Sequence, residues 1–135
     1  MNYIAQYKDI AISEMNRYGI PASIKLAQAI LESGNGNSTL AREANNHFGI
    51  KGKNNSTKIK SAYKGYSSVM DSYNDFVQLL KRRKKTAHLF DTYAHKNCKA
   101  WVDGIARSGY SQTKTWKNHV LGTISRYKLD QYDQI

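Results

Sequence analysis

The chain has 135 residues, 40% of them hydrophobic, which is enough for one domain with a real core. Its longest near-apolar run, Leu26 to Leu31, is far too short for a membrane span and is interrupted by Gln28. A formal net charge of +11, from 21 Lys and Arg against 10 Asp and Glu, favours a polyanionic partner, either nucleic acid or an anionic cell envelope.

The first predicted helix covers Asn2 to about Tyr18. Ile4, Tyr7, Ala11, Met15 and Tyr18 recur at steps of three and four and form one face. The N-terminus has no basic start followed by an apolar run, so no signal peptide is expected. Gly19 ends the helix, and Pro21 suits the first turn of the next. That second helix, Ala22 to Ser33, is apolar nearly all round. Its polar stripe is Lys25, Gln28 and Glu32, which predicts one face open to a cleft. Glu32 stands in the last turn, where the negative end of the helix dipole and partial burial raise a carboxyl pKa.

A short helix follows at Thr39 to Ala44, and then the turn-rich stretch Asn45 to Gly52. Lys58 to Val69 has no helical period and reads as a β-hairpin or ribbon, with Tyr63 and Tyr66 flanking its turn. Asp71 or Ser72 is expected to cap a helix over Tyr73 to Lys84, buried through Tyr73, Phe76, Val77 and Leu80. The cluster Lys81-Arg82-Arg83-Lys84-Lys85 reads first as a solvated helix end complementing the macrodipole, and second as a binding patch. Thr86 to Lys96 is a connector. Asn97 caps a helix to Arg107, and a last helix runs from Thr113 to Tyr127. The predicted fold class is α+β, mainly helical, in a single domain over residues 1–135.

Few chemistries are supported. The four histidines are scattered and none forms a zinc-hydrolase pair, and there is no phosphate loop and no nucleophile elbow. No metal or cofactor is expected. Cys98 is alone and reads as packing. Two acids remain, Glu32 and Asp71, on different elements. Paired carboxylates are the usual equipment for cleaving glycosidic bonds. From spacing alone Glu32 fits a general acid or a rim ion pair, and Asp71 fits a second acid or a helix cap. Phe48, Tyr63, Tyr66 and Tyr110 fall in or beside loops, where they could stack on sugar rings. Asn45, Asn46 and Gln112 could bond hydroxyl or acetamido groups.

The blocks Ala27-Gln28-Ala29-Ile30-Leu31-Glu32-Ser33-Gly34 and Ala44-Asn45-Asn46-His47-Phe48-Gly49-Ile50-Lys51-Gly52 resemble the glucosaminidase domain of family 73 glycoside hydrolases. Weaker blocks follow in the family's order, around Tyr66 to Phe76, Ala106 to Ser111 and Ile124 to Leu129. The resemblance implies a lysozyme-like fold, with a helical lobe and a small β-hairpin lobe flanking a groove. It implies hydrolysis of the β-1,4 bond after N-acetylglucosamine in peptidoglycan. Glu32 matches the family's general acid. Asp71 stands where a second acid is usually glutamate. Tyr110 matches the tyrosine of a Gly-Tyr-Ala-Thr stretch, with Ser111-Gln112 in place of Ala-Thr, and lines the site. Phe48 forms part of the sugar floor, and Gln28, Asn45, Asn46, Tyr63 and Tyr66 complete the expected substrate contacts.

Three other readings stay open on the sequence. A lytic transglycosylase shares the fold and the single Glu, a non-catalytic glycan-binding module fits the Asp71 departure, and a nucleic-acid binder fits the charge alone. The expected partners are peptidoglycan strands and, by charge, anionic envelope polymers, with no specific nucleic acid. The chain is expected to act as a monomer in the periplasm or extracellular wall. Delivery would then be through a holin, by a dedicated secretion system, or as a domain of something larger.

Overall fold

The computed structural model describes residues 2–52, 62–94, 97–110 and 115–134. Its elements are α1 (Asn2–Tyr18), α2 (Ala22–Ser33), α3 (Thr39–Ala44), α4 (Val69–Arg82), α5 (Lys84–Ala87), α6 (Leu89–Thr92), α7 (Cys98–Arg107), α8 (Trp116–Tyr127) and a 3-10 helix, Leu129–Gln134. The fold is mainly helical, as its sequence pattern predicts.

The organising element is α2. Ala22 to Ile30 are all buried, so this helix is wrapped by others rather than half-solvated. Its N-terminus follows Pro21, which offers no capping side chain. The cap comes from the far end of the chain: Asp133 accepts from the Ser23 backbone N–H at 2.8 Å and from Ser23 Oγ at 2.6 Å. A buried carboxylate at a helix N-terminus satisfies orphan donors and meets the favourable end of the dipole. The last helix expected from the sequence ends at Tyr127, and this 3-10 latch follows it. Cys98 lies beside it, with Ser23 Oγ 3.2 Å from its sulfur. Burial pushes the thiol up to about 11, which fits the packing role.

At its other end α2 stops at Gly34, in the left-handed conformation with φ 55°. Such a C-cap favours glycine because a β-carbon is disfavoured there. It leaves Glu32 in the last turn, on the rim.

The expected polar stripe on α2 is corrected. Lys25 is fully buried and Gln28 nearly so. Lys25 is ion-paired with Glu14 of α1, and its ammonium lies 5.4 Å from the Tyr73 ring centroid. Only Glu32 of the three reaches solvent. Helical spacing places residues on one face but does not reveal that another helix brings an acid to meet them.

The cap of α4 is also corrected. Ser68 is the N-cap, and its Oγ accepts from the Asp71 backbone N–H at 3.1 Å. Asp71 is therefore the third helical residue, where its charge still suits the N-terminus. Tyr73, Phe76, Val77 and Leu80 form the buried face as expected. The connector after α4 contains α5 and α6, folded over Leu89, which is fully buried.

Strand structure is slight among the described residues. Lys51 pairs antiparallel with Tyr63, the Gly52 N–H donates to Ala62 O at 3.0 Å, and the Lys64 N–H donates to Ile50 O at 2.8 Å. The expected hairpin within Lys58 to Val69 is displaced. Its partner is the Ile50–Gly52 segment, so Tyr63 and Tyr66 do not flank a turn. The segment 58–61 lies outside the described residues, as do Gln112 and Thr113.

Candidate active site

The cleft is built around the end of α2. A cavity of about 640 Å3 is lined by Glu32 and Gln28 from α2, Phe48 to Lys51 from the following loop, Tyr63, Leu79, Tyr110 and Trp116. Five of the sequence-predicted site residues therefore meet in one place: Gln28, Glu32, Phe48, Tyr63 and Tyr110.

Glu32 is exposed on its outer side, yet the surrounding walls desolvate its carboxyl and raise it above the usual carboxylate range. Its two oxygens have different surroundings. Gln28 Nε2 donates to Oε1 at 3.3 Å. Gln28 Oε1 in turn accepts from Trp116 Nε1 at 2.8 Å. Indole N–H is a donor only, so it fixes the amide orientation and turns the NH2 group toward Glu32. Oε1 is thus held as an acceptor, and the acidic proton belongs on Oε2. Gln28 is accordingly an orienting group for Glu32 rather than a free sugar contact.

Oε2 faces Gly49. A β-carbon at Gly49 would stand 3.0 Å from Oε2, and Gly49 has φ 65°. Both facts require glycine. Gly49→Ala is expected to cost about 1–2 kcal/mol in backbone strain and to displace the carboxyl. A thermal midpoint checks this, and an unchanged midpoint would show that the position tolerates a β-carbon.

Tyr110 closes the opposite wall. Its ring lies 5.9 Å from Trp116 and 6.0 Å from Phe76 between centroids. Burial and the Glu32 charge both raise its phenol pKa, so it stays a neutral donor. Arg83 stacks over it at 5.5 Å and also donates to Ser108 Oγ and Ser108 O at 3.3 and 3.4 Å. Arg83 was read within a solvated cluster. It is instead half-buried and holds the turn that presents Tyr110.

Phe48 lines the floor but is itself nearly buried, stacked on Phe76 at 4.5 Å and edge-on to Tyr73 at 4.8 Å. The other expected contacts are placed elsewhere. Asn46 is buried, donating to Ile50 O and Lys64 O while its Oδ1 accepts from the Phe48 and Ile50 N–H groups. Asn45 caps α3 at φ 57° and donates to Tyr66 O. Tyr66 donates to Asp75 Oδ2 at 2.6 Å, beside Lys64. These three side chains tie the ribbon to the helices and do not line the cavity. Asp71 is exposed on the first turn of α4, accepts from Ser67 Oγ at 3.0 Å, and also lies outside the cavity lining.

Trp116 is not among the site residues expected from the sequence. A signal for its role existed: a buried indole N–H needs an acceptor, and Gln28 was a polar residue on an otherwise apolar helix.

Behind the floor, His47 anchors the loop. Its Nδ1 is 2.8 Å from Tyr3 OH, which is 2.7 Å from Tyr73 OH, with Tyr7 packed edge-on at 5.3 Å. Burial lowers the imidazole pKa to about 4. The folded value lies below the unfolded one of about 6.5, so the unfolded chain binds more protons between them. The stability from neutral His47 is full above about pH 6.5 and is lost as pH falls toward 4, by up to about 3 kcal/mol. Glu32 runs the other way, because its raised pKa gives stability that fades as pH rises through it. Thermal midpoints of wild type and His47→Gln against pH should converge in acid and diverge near neutrality. Parallel curves would contradict the assignment.

Among the described residues no three His, Cys, Asp or Glu side chains are grouped to hold a metal ion. Nor is any of their helices long and apolar enough to cross a membrane.

The fold and this acid-centred cleft define a glycoside-hydrolase-like domain, and the comparisons agree. Residues 8–129 match the glucosaminidase family, described as mannosyl-glycoprotein endo-beta-N-acetylglucosaminidase, and the chain belongs to that family. It is similar to the exo-glucosaminidase LytG of Bacillus subtilis, at 31% identity over 88% of this chain and 48% of that protein. It is also 30% identical to an autolysin of Enterococcus faecalis, over 83% of this chain and 18% of that one. The chain thus spans half or less of these relatives. Among solved structures, the glycoside hydrolase domain of Salmonella typhimurium FlgJ superposes with a TM-score of 0.76 at 25% identity, covering 94% of this chain and 87% of that one. The catalytic domain of the autolysin Auto from Listeria monocytogenes gives 0.74 at 25% identity, covering 97% and 85%.

Proposed function

We propose that this domain hydrolyses the β-1,4 bond after N-acetylglucosamine in peptidoglycan, with Glu32 as general acid. The observation that carries the reading is Glu32 itself, whose carboxyl is held by Gln28, backed by Gly49 and raised by the walls of the cleft. An acid kept protonated nearer neutral pH is suited to protonating a leaving glycosidic oxygen. The family, and relatives named for glucosaminidase and autolysin activity, point to the same substrate class.

In this reading the sugar lies on Phe48 between Tyr63 and Tyr110, in a groove whose β side begins at the Lys51–Tyr63 pairing. Oε2 of Glu32 gives its proton to the bridging oxygen as the glycosidic bond breaks. Asp71 stands outside the cavity lining, which favours stabilisation of the anomeric carbon by the substrate's own acetamido oxygen. That oxygen bonds to the anomeric carbon and forms a cyclic oxazolinium. The Glu32 carboxylate then takes a proton from water, whose oxygen opens the ring. Tyr110 contributes a neutral hydroxyl beside the reacting sugar. The domain acts in the wall compartment, and residues 1–135 serve as the catalytic unit.

Mass spectrometry of digested peptidoglycan tests this. New reducing ends on N-acetylglucosamine are expected, and Asp71→Asn should retain most activity. Anhydro-sugar ends would assign a transglycosylase instead. Loss of activity in Asp71→Asn at unchanged stability would restore a second acid.

A further inference from the structure

A second cavity lies between α5, α6 and α7. It encloses about 370 Å3, and its lining includes Lys84, Lys85, His88, Tyr93, Arg107 and Ser108. Two features build it. A β-carbon on Gly104, which also lines the cavity, would collide with Leu89, so the bare glycine lets α6 close onto α7. Thr86 is buried and donates its hydroxyl to Leu80 O at 2.6 Å, which pins α5 under the end of α4.

The five-cation run therefore divides. Lys81 lies over the Tyr18 and Phe90 rings, Arg82 reaches Asp75, and Arg83 holds Ser108. Lys84 and Lys85 line the cavity, and Arg107 comes to it from α7. No carboxylate lines it among the described residues. The neighbouring acid, Asp103, is ion-paired with Lys117 and feels Arg107 only weakly beside that contact. Three exposed cations around one concavity make a patch of positive potential that favours an anionic ligand.

We propose that this pocket binds a phosphodiester group of an anionic cell-envelope polymer. A phosphodiester suits the donors present: a guanidinium fork with two ammonium groups as point charges. The volume suits one phosphate with its flanking polyol, at the small end of ligand sites. A nucleic-acid duplex instead engages an inserted helix or a longer basic stripe than this one concavity offers. The position is also informative. Arg83 bonds Ser108 on the wall of this pocket and stacks over Tyr110 on the wall of the cleft. A polymer held here would lie one side-chain link from the glycan being cut. The proposal rests on the peptidoglycan reading, and a binding assay in a Glu32→Gln background keeps the two separable.

Binding of the full chain carrying Glu32→Gln is measured at fixed ionic strength. The probes are soluble poly(glycerol phosphate), inorganic phosphate, anionic phospholipid vesicles, duplex DNA, and walls before and after acid removal of phosphodiester polymers. Lys84→Gln with Arg107→Gln is expected to weaken poly(glycerol phosphate) binding about tenfold or more. Arg17→Gln with Arg126→Gln removes the same charge elsewhere and should change it by no more than about twofold. All four side chains are exposed, so matching thermal midpoints are expected. Stripped walls should bind both variants alike. Equal weakening by the two pairs would assign the effect to net charge and overturn the pocket. Pocket-dependent binding that is tighter for vesicles or DNA, or that is seen with inorganic phosphate alone, would overturn the polymer as the ligand.

Discussion

Glu32→Gln is expected to lower peptidoglycan cleavage by about two to four orders of magnitude, the usual contribution of a positioned general acid. The substitution is nearly isosteric, so the cleft should keep its shape. Gln28 Nε2 still finds the amide oxygen in place of Oε1. What disappears is the proton on the side facing Gly49 and the cavity. The loss should therefore appear in kcat, with wall binding retained, if the proposed contacts of Phe48, Tyr63 and Tyr110, which line the cavity, hold the sugar. Thermal stability should hold or rise slightly, since a carboxyl raised by desolvation is costly to ionise at neutral pH. Cleavage that survives the substitution at a comparable rate would leave Glu32 a rim carboxylate and the cleft a binding groove.

The wild-type pH profile follows from the same shift. With Glu32 as the proposed general acid, activity needs its protonated form, so the alkaline limb should lie above the ordinary carboxylate range. The direction is fixed by burial of the acid, and moving Gly49 or Gln28 should move that limb.

Much of this was legible locally. The bounds of α1, α2 and α3 follow from their periodicity and from the stop at Gly19, the left-handed cap at Gly34 and the serine cap at Ser38. Glu32, Phe48 and Tyr110 do meet in the cleft, but spacing alone leaves Glu32 between a general acid and a rim ion pair, and the family resemblance is what singles out Glu32 and Tyr110. What local reading missed is long-range. Asp133 caps a helix 110 residues away, and Ile50–Gly52 pairs with residues 62–64. Asn45 and Asn46 suit sugar contacts by sequence, because loop amides often bond hydroxyl groups. Here the backbone needed them first: a ribbon with so few ladder bonds leaves carbonyls and N–H groups that Asn46 satisfies on both sides. The cluster at Lys81 to Lys85 misled differently, since consecutive residues at a helix end point in different directions once the chain turns into α5.

The Lys25–Glu14 pair yields the largest expected stability effect. Lys25→Met should destabilise the fold by about 3–5 kcal/mol, because it strands a buried carboxylate. Glu14 is only 8% exposed, and among the described residues Asn74 Nδ2 also donates to its Oε2, at 3.3 Å. For a chain of this size the thermal midpoint should drop by roughly 10–20 °C. Methionine fills the volume of the lysine stem, so the loss cannot be assigned to a cavity. The pair as a whole is a different matter. Burial pushes the Lys25 ammonium well below its ordinary range, so desolvation takes back much of what the mutual attraction gives. Glu14→Leu added to Lys25→Met removes both charges together and should recover most of the lost midpoint. The recovery would be seen as a coupling of several kcal/mol in the double-mutant cycle. The cost of keeping the pair is best explained by register. The contact fixes which turn of α1 lies over α2, and the same α1 carries Tyr3 to His47 behind the floor of the cleft. If so, the double variant should be stable yet less active, with Glu32 intact and its surrounding loop looser. A double variant that is both stable and fully active would reduce the pair to a neutral alternative to apolar packing.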